Sequence, residues 1–99
     1  MAGKEKLFEN KIKKFLSEHN CYYVKYFANR NTRSGVPDIL ACVNGHFVAI
    51  EVKAEDGKPT ELQKWNVDKI RECGGVAMIV YPSDWEHFVS VIGGLLKCK

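Results

Sequence analysis

The sequence lacks any segment suited to crossing a membrane. No apolar run approaches the roughly 20 residues that a transmembrane helix requires. The first residues are rich in lysine, but an amphipathic pattern follows them instead of the apolar stretch of a signal peptide. Internal repeats and low-complexity tracts are also missing, which excludes solenoid and fibrous architectures. We therefore expect an intracellular protein that makes no contact with membranes.

The spacing of the cysteines excludes a structural zinc site. The sequence has no C-x-x-C pair, and its histidines are isolated from one another and from the cysteines. Zinc modules need closely spaced thiolate and imidazole ligands. Cys42 lies in an apolar segment and Cys73 near a predicted helix end, so we expect buried thiols in a reducing compartment.

The chain of 99 residues predicts a single domain over 1–99, and its charge is unevenly distributed. Residues 1–33 carry eight Lys or Arg and three Glu, a local charge of +5. The remaining residues carry seven basic and nine acidic groups, a local charge of −2. Cations that hold phosphate beside carboxylates that hold metal are typical of nucleic-acid enzymes. A solvated lysine-rich helix face explains the charge equally well.

Periodicity divides the chain into alternating helices and strands. Apolar residues at helical spacing predict helices over 4–20, 60–72 and 84–97, the last with an interruption at Gly93-Gly94. Aromatic and β-branched segments predict strands over 21–27, 39–43, 46–53 and 76–81. Asn44-Gly45 predicts a tight hairpin, and the helix before the last strand predicts a right-handed parallel crossover. The result is an α/β fold of order αβββαβα, with a mixed sheet flanked by helices on both faces.

Two of the predicted helices have apolar residues that we expect to face the core. On the helix over 60–72 these are Leu62, Trp65, Val67 and Ile70. On the final helix they include Trp85 and Phe88, which also provide a candidate dimer surface.

Asp38, Glu51 and Lys53 form the strongest candidate site. Side chains two apart on a strand share a face, so Glu51 and Lys53 point together while Val52 points into the core. Pairing around the hairpin turn places Asp38 opposite about position 51. Neighbouring carboxylates repel unless a cation or a proton lies between them. Oxygen ligands favour a hard divalent cation, although Lys53 alone could compensate the two charges.

These residues resemble the motifs of the PD-(D/E)xK nuclease superfamily. Gly35-Val36-Pro37-Asp38, Glu51-Val52-Lys53 and the downstream Gln63 resemble its VRR-NUC branch in particular. The resemblance covers about residues 5–81. It implies a restriction-endonuclease-like αβββαβ core, here with an extra C-terminal helix, and the independently predicted element order agrees with it.

The resemblance also implies roles for the site residues. Asp38 and Glu51 would bind Mg²⁺ or Mn²⁺ directly, with the Val52 backbone carbonyl as a further ligand. Lys53 would orient the attacking water and stabilise the transition state. No small-molecule cofactor is implied.

Two further residues match family positions, and each has an alternative role. Glu9 matches a helix glutamate that reaches the metal through water. Glu5 lies on much the same face and could take that position instead, and Glu9 could also be an ordinary solvated charge on the helix surface. Gln63 matches the last motif residue, but Thr60 and Gln63 also form a capping box that would occupy the same side chain.

Candidate DNA contacts are exposed polar residues near the motifs. Gly35 and Pro37 give the loop before Asp38 a fixed shape. The residues that we expect to reach phosphates are Arg30, Arg33, Ser34, Lys58 and Lys14. Ordinary solubilising charge is an alternative for all of them.

The sequence therefore predicts a divalent-metal-dependent DNA endonuclease. Stand-alone VRR-NUC proteins resemble resolvases of Holliday junctions and often belong to phages, which implies a homodimer acting on branched DNA in the cytoplasm of a bacterial or phage-infected cell. A monomeric nuclease for flaps or single strands, a sequence-specific nickase and a non-catalytic DNA-binding module remain alternatives.

Overall fold

A computed structural model describes residues 3–97. Three helices and four strands follow one another along the chain, and a short 3₁₀ turn, Pro82–Asp84, precedes the last helix. The elements are α1 (Gly3–Glu18), β1 (Tyr22–Lys25), β2 (Ile39–Val43), β3 (His46–Val52), α2 (Glu61–Glu72), β4 (Val76–Val80) and α3 (Trp85–Lys97). Within the described residues, no helix is long and apolar enough to cross a membrane.

The four strands form one mixed sheet in the order β1-β2-β3-β4. The first three strands are antiparallel neighbours, and β4 is parallel to β3 after the α2 crossover. The hairpin turns at Asn44 and Gly45, both with positive φ as a tight turn of this kind requires. This arrangement confirms the predicted α/β class and is compatible with a restriction-endonuclease-like fold.

One face of the sheet forms the main core with α1 and α3. Alternate β3 side chains, Val48, Ile50 and Val52, are fully buried on this face, as the strand period predicts. The α1 stripe that includes Ile12 and the α3 stripe that includes Phe88 pack against them. The first strand is shorter than the predicted range 21–27, because only Tyr22–Lys25 pair regularly with β2.

Helix α2 covers only half of the opposite face. Val67 packs there on two alanines, Ala49 of β3 and Ala77 of β4. The prediction that Leu62 and Trp65 are buried is wrong, because their side chains are 47% and 50% exposed. The small alanine side chains allow α2 to pack closely against the sheet through Val67. Asn66, the residue before Val67, is also buried although it is polar.

The final helix is continuous, so the predicted interruption at Gly93-Gly94 is wrong. Each glycine disfavours a helix by about 1 kcal/mol, which the burial of Phe88 and Ile92 outweighs. Phe88 is fully buried within the subunit, and Trp85 packs edge-on against Phe15. Phe88 therefore belongs to the core and cannot line a dimer surface, whereas Trp85 is only partly buried and its place in such a surface stays a prediction.

The thiols are less buried than the sequence predicts. Cys21 is buried, but Cys42 and Cys73 are exposed. Cys42 lies on the β1–β2 side of the sheet face that α2 leaves open, and Cys73 caps the C-terminus of α2. An apolar strand was therefore not enough to predict burial. Cys98 lies outside the described residues.

Candidate active site

Asp38 stands immediately before β2 and faces the end of β3. Ile39 pairs with Ile50, so the same register carries Asp38 opposite Glu51. The Val52 amide donates a hydrogen bond of 2.8 Å to Asp38 Oδ2. This bond fixes one carboxylate oxygen and leaves Oδ1 directed elsewhere. The carboxylates of Asp38 and Glu51 therefore lie opposite each other, as the pairing around the hairpin turn predicts.

Glu51 is a buried carboxylate whose negative charge is only partly compensated by its neighbours. Its side chain is 2% exposed, and Oε2 lies 3.3 Å from Lys53 Nζ. The other oxygen, Oε1, is buried and has no hydrogen-bond partner among residues 3–97. Burial and the neighbouring Asp38 carboxylate raise the pKa of Glu51 to about 7, although Lys53 acts in the opposite direction. A proton or a cation is therefore favoured at this place.

Glu9 is buried beneath the site, not solvated on the surface of α1. Three lysine ammoniums contact its carboxylate, from Lys6 at 3.2 Å and from Lys13 and Lys25 at 2.8 Å. Burial raises the pKa of Glu9, but the hydrogen bonds from Lys13 and Lys25 outweigh it and lower the pKa to about 2. Glu5, the alternative on the same helix, is exposed.

Lys25 joins Glu9 to the carboxylate pair. Its Nζ lies 2.8 Å from Glu9 Oε1 and 3.4 Å from Asp38 Oδ1. Lys25 is not among the site residues that the sequence predicts. The available signal was a lysine at the end of a strand otherwise built from aromatic and apolar residues. Its partner Glu9 comes from a helix whose packing the sequence alone does not give.

The donor set fits a hard divalent cation. Asp38 and Glu51 offer carboxylate oxygens, and the orphaned Oε1 of Glu51 is already desolvated. Within residues 3–97, no cluster of three or more His, Cys, Asp or Glu side chains could hold a metal ion. Two carboxylates completed by backbone oxygen, water and a substrate phosphate suit Mg²⁺, which keeps several waters in its shell. The Val52 carbonyl remains a predicted ligand.

Gln63 occupies a local role. Its side-chain Oε1 accepts a hydrogen bond of 2.8 Å from the Thr60 backbone amide, and the Gln63 backbone amide donates to Thr60 Oγ1 at 3.1 Å. This is a complete capping box at the start of α2. The side chain cannot serve the cap and the site at the same time, so its role at the site stays a prediction.

With this geometry in place, one comparison with known proteins is decisive. The model of the archaeal Holliday junction resolvase family, Hjc, matches residues 1–85. The chain belongs to this family. Hjc is a PD-(D/E)xK-type nuclease family, so membership makes the chain a nuclease that hydrolyses DNA. The more specific resemblance to the VRR-NUC branch stays a prediction, and no curated protein and no solved structure matches the chain.

In this Hjc chain, the loop before Asp38 is pressed against α2. Gly35 has φ +79°, and a Cβ added there would lie 2.6 Å from Leu62 Cγ and 2.8 Å from Asn66 Nδ2. Asn66 is held in turn, since its Nδ2 donates to the Leu62 carbonyl at 2.9 Å. Only glycine fits this contact, and the contact sets where the chain enters β2 at Asp38.

Gly35→Ala is expected to destabilise the protein by about 1–3 kcal/mol, because the new methyl group meets both an unfavourable φ and a tight contact. Nuclease activity is expected to fall further than stability, because Asp38 moves with the loop. Gly93→Ala is the matched control. Among residues 3–97, no atom outside the local helix backbone lies within 4 Å of its added Cβ, so the same change should be neutral or stabilising by up to about 1 kcal/mol. Urea unfolding and DNA cleavage measure the two effects, and equal behaviour of the two variants would refute the tight contact.

The predicted DNA contacts of this chain all lie at the surface. The exposed members are Arg30, Arg33, Ser34, Lys14 and Lys58. Arg33 is the one whose guanidinium stacks over an aromatic ring, 6.0 Å from the centre of Trp65. Contact with DNA remains a prediction for the whole set.

Proposed function

We propose that the protein is a divalent-metal-dependent endonuclease that cuts four-way DNA junctions as a homodimer. The observation that carries the proposal is the buried pair Asp38 and Glu51, with one orphaned Glu51 oxygen beside Lys53, in a chain of the Hjc family. Branched DNA is the substrate that the family name implies.

The chain's own residues would prepare the phosphodiester for hydrolysis. Asp38, held by the Val52 amide, and Glu51 would hold Mg²⁺ or Mn²⁺ between them. The bound cation supplies charge neutralisation at the phosphate and a lower pKa for a coordinated water. Lys53, half-buried beside Glu51, is placed to orient the attacking water and to donate to the phosphate oxygens. In-line attack would leave a 5′-phosphate and a 3′-hydroxyl.

A homodimer suits a junction because two symmetric cuts need two symmetric sites. Exposed aromatic residues on the sheet support this oligomeric state. Tyr22, Cys42 and Phe47 are cross-strand neighbours on the half-face that α2 leaves open, and all three are exposed. A second copy of the chain would remove this apolar strip from water. Light scattering tests the idea: Phe47→Asp should shift the mass toward the monomer, whereas Leu7→Asp, at an even more exposed apolar site on α1, should not.

The decisive experiment compares cleavage of a labelled four-way junction with cleavage of linear duplex, flap and single-stranded DNA. Each substrate is incubated with Mg²⁺, with Mn²⁺ or with EDTA, using the wild type and Asp38→Asn. Paired metal-dependent nicks in the junction, absent in the variant, are the expected result. Cleavage of flaps or single strands alone would replace the resolvase by the monomeric nuclease. Junction binding without any cleavage would leave a DNA-binding module.

A further inference from the structure

Lys25 holds the oxygen of Asp38 that is otherwise free to bind a cation. The Val52 amide takes Oδ2, and Lys25 Nζ lies 3.4 Å from Oδ1. We propose that Lys25 is a resident counter-cation: it positions Asp38 in the metal-free protein, competes with the divalent cation for Oδ1, and withdraws onto Glu9 when that cation binds. The inference rests on the proposed function, because it assumes that Asp38 is a metal ligand.

The two contacts of Lys25 differ in a way that permits this exchange. The ammonium lies 2.8 Å from Glu9 Oε1 but 3.4 Å from Asp38 Oδ1, so the contact with Asp38 is the weaker one. Glu9 is nearly inaccessible, so we expect its carboxylate to keep the Lys25 ammonium when Asp38 releases it. Lys25 can therefore give up its contact with Asp38 and keep the shorter one that it already makes with Glu9.

The charges around Asp38 and Glu51 explain why the exchange of Lys25 for a divalent cation affects metal affinity. Four ammoniums contact the three carboxylates of this cluster: Lys6 and Lys13 contact only Glu9, Lys53 contacts Glu51, and Lys25 is shared between Glu9 and Asp38. Burial alone would lower the pKa of Lys25, but the bonds to Glu9 and the charge of Asp38 outweigh it and raise the pKa, so the ammonium keeps its charge. An ammonium this close to Oδ1 repels an incoming divalent cation. Metal affinity without DNA should therefore be lower than two carboxylates would otherwise give.

A purely structural role for Lys25 makes a different prediction. Lys25 also ties β1 to α1 through Glu9, and loss of that tie would lower stability without tightening the binding of a cation. Lys13 separates the two roles, because it contacts Glu9 at the same distance of 2.8 Å and makes none of the contacts with Asp38 described above. It is the matched control.

The test measures Mn²⁺ binding to the full chain in the absence of DNA, by electron paramagnetic resonance or calorimetry. Lys25→Met is expected to lower the Kd for Mn²⁺ about tenfold, because the competing charge is gone. Lys25→Arg should stay near the wild type and Lys13→Met within about twofold of it. Lys25→Gln, which keeps a donor for Glu9 but no charge, provides a second variant if Lys25→Met does not fold, as judged by circular dichroism.

Two outcomes separate this inference from the proposed function. If Asp38→Asn abolishes Mn²⁺ binding but neither neutral Lys25 variant binds Mn²⁺ more tightly, the metal site stands and the counter-cation is refuted. If Asp38→Asn leaves Mn²⁺ binding unchanged, the metal site itself is refuted. Equal tightening by Lys13→Met would also overturn the inference, since the effect would then come from general charge.

Discussion

Lys53→Ala is expected to lower the rate of DNA cleavage by about 10²–10³-fold while DNA binding changes little. The reason is the position of the ammonium, which is half-buried and 3.3 Å from Glu51 Oε2, where it would lie beside the attacking water and the scissile phosphate of a bound substrate. Single-turnover cleavage under saturating enzyme isolates the chemical step, and a gel-shift assay in Ca²⁺ reports binding separately.

Lys64→Ala is the control for the loss of one positive charge. Lys64 lies on the exposed side of α2, where it pairs with Glu61, and we expect its removal to change cleavage less than about threefold. An equal loss of activity in both variants would show that Lys53 acts only through net charge. Full activity of Lys53→Ala would remove the residue from the mechanism.

The carboxylate pair could be predicted from the sequence because its geometry is local. Asn44-Gly45 fixes the hairpin turn, and antiparallel pairing then dictates that residues 38 and 51 stand opposite each other. The strand period does the rest by placing Glu51 and Lys53 on one face. No distant element is needed to bring these groups together.

The features that the sequence did not reveal depend on how separate elements pack. Leu62 and Trp65 match the apolar spacing of a buried helix face, but α2 seats on Ala49 and Ala77 and leaves both exposed. The link between Glu9 and Lys25 joins α1 to β1, and neither element's own pattern shows it. Cys42 is exposed for a related reason, since α2 covers only one half of that sheet face and Cys42 lies on the other half.

Gln63 illustrates a conflict between local and tertiary demands. A capping box can be read from four consecutive residues, and the structure forms it. The role at the site needs the same amide to turn away from Thr60. The site role of Gln63 stays a prediction, and it would be seen only in the substrate-bound protein, where a phosphate or a cation would compete with Thr60 for the Gln63 side chain.

Glu51→Gln is expected to abolish cleavage and, at the same time, to stabilise the metal-free protein at pH 8. The pKa of Glu51 is raised from 4.5 to about 7, so the folded protein binds this proton more tightly than the unfolded chain does. The free energy of unfolding of the wild type should therefore fall as the pH rises from about 4.5 to 7. A neutral amide avoids this loss, which amounts to about 3 kcal/mol at pH 8.

Chemical unfolding in EDTA at pH 5 and pH 8 measures the effect. The wild type and Glu51→Gln should be nearly equal at pH 5, and the variant should be the more stable at pH 8. Glu9→Gln provides a comparison of opposite sign, because the pKa of Glu9 is lowered to about 2 and its contribution is present above pH 4.5 and lost in acid. A Glu51→Gln variant that is less stable than the wild type at pH 8 would mean that Lys53 fully compensates the carboxylate. In that case the unpaired Glu51 oxygen would no longer support a cation site, and cleavage data would be the remaining test of that site.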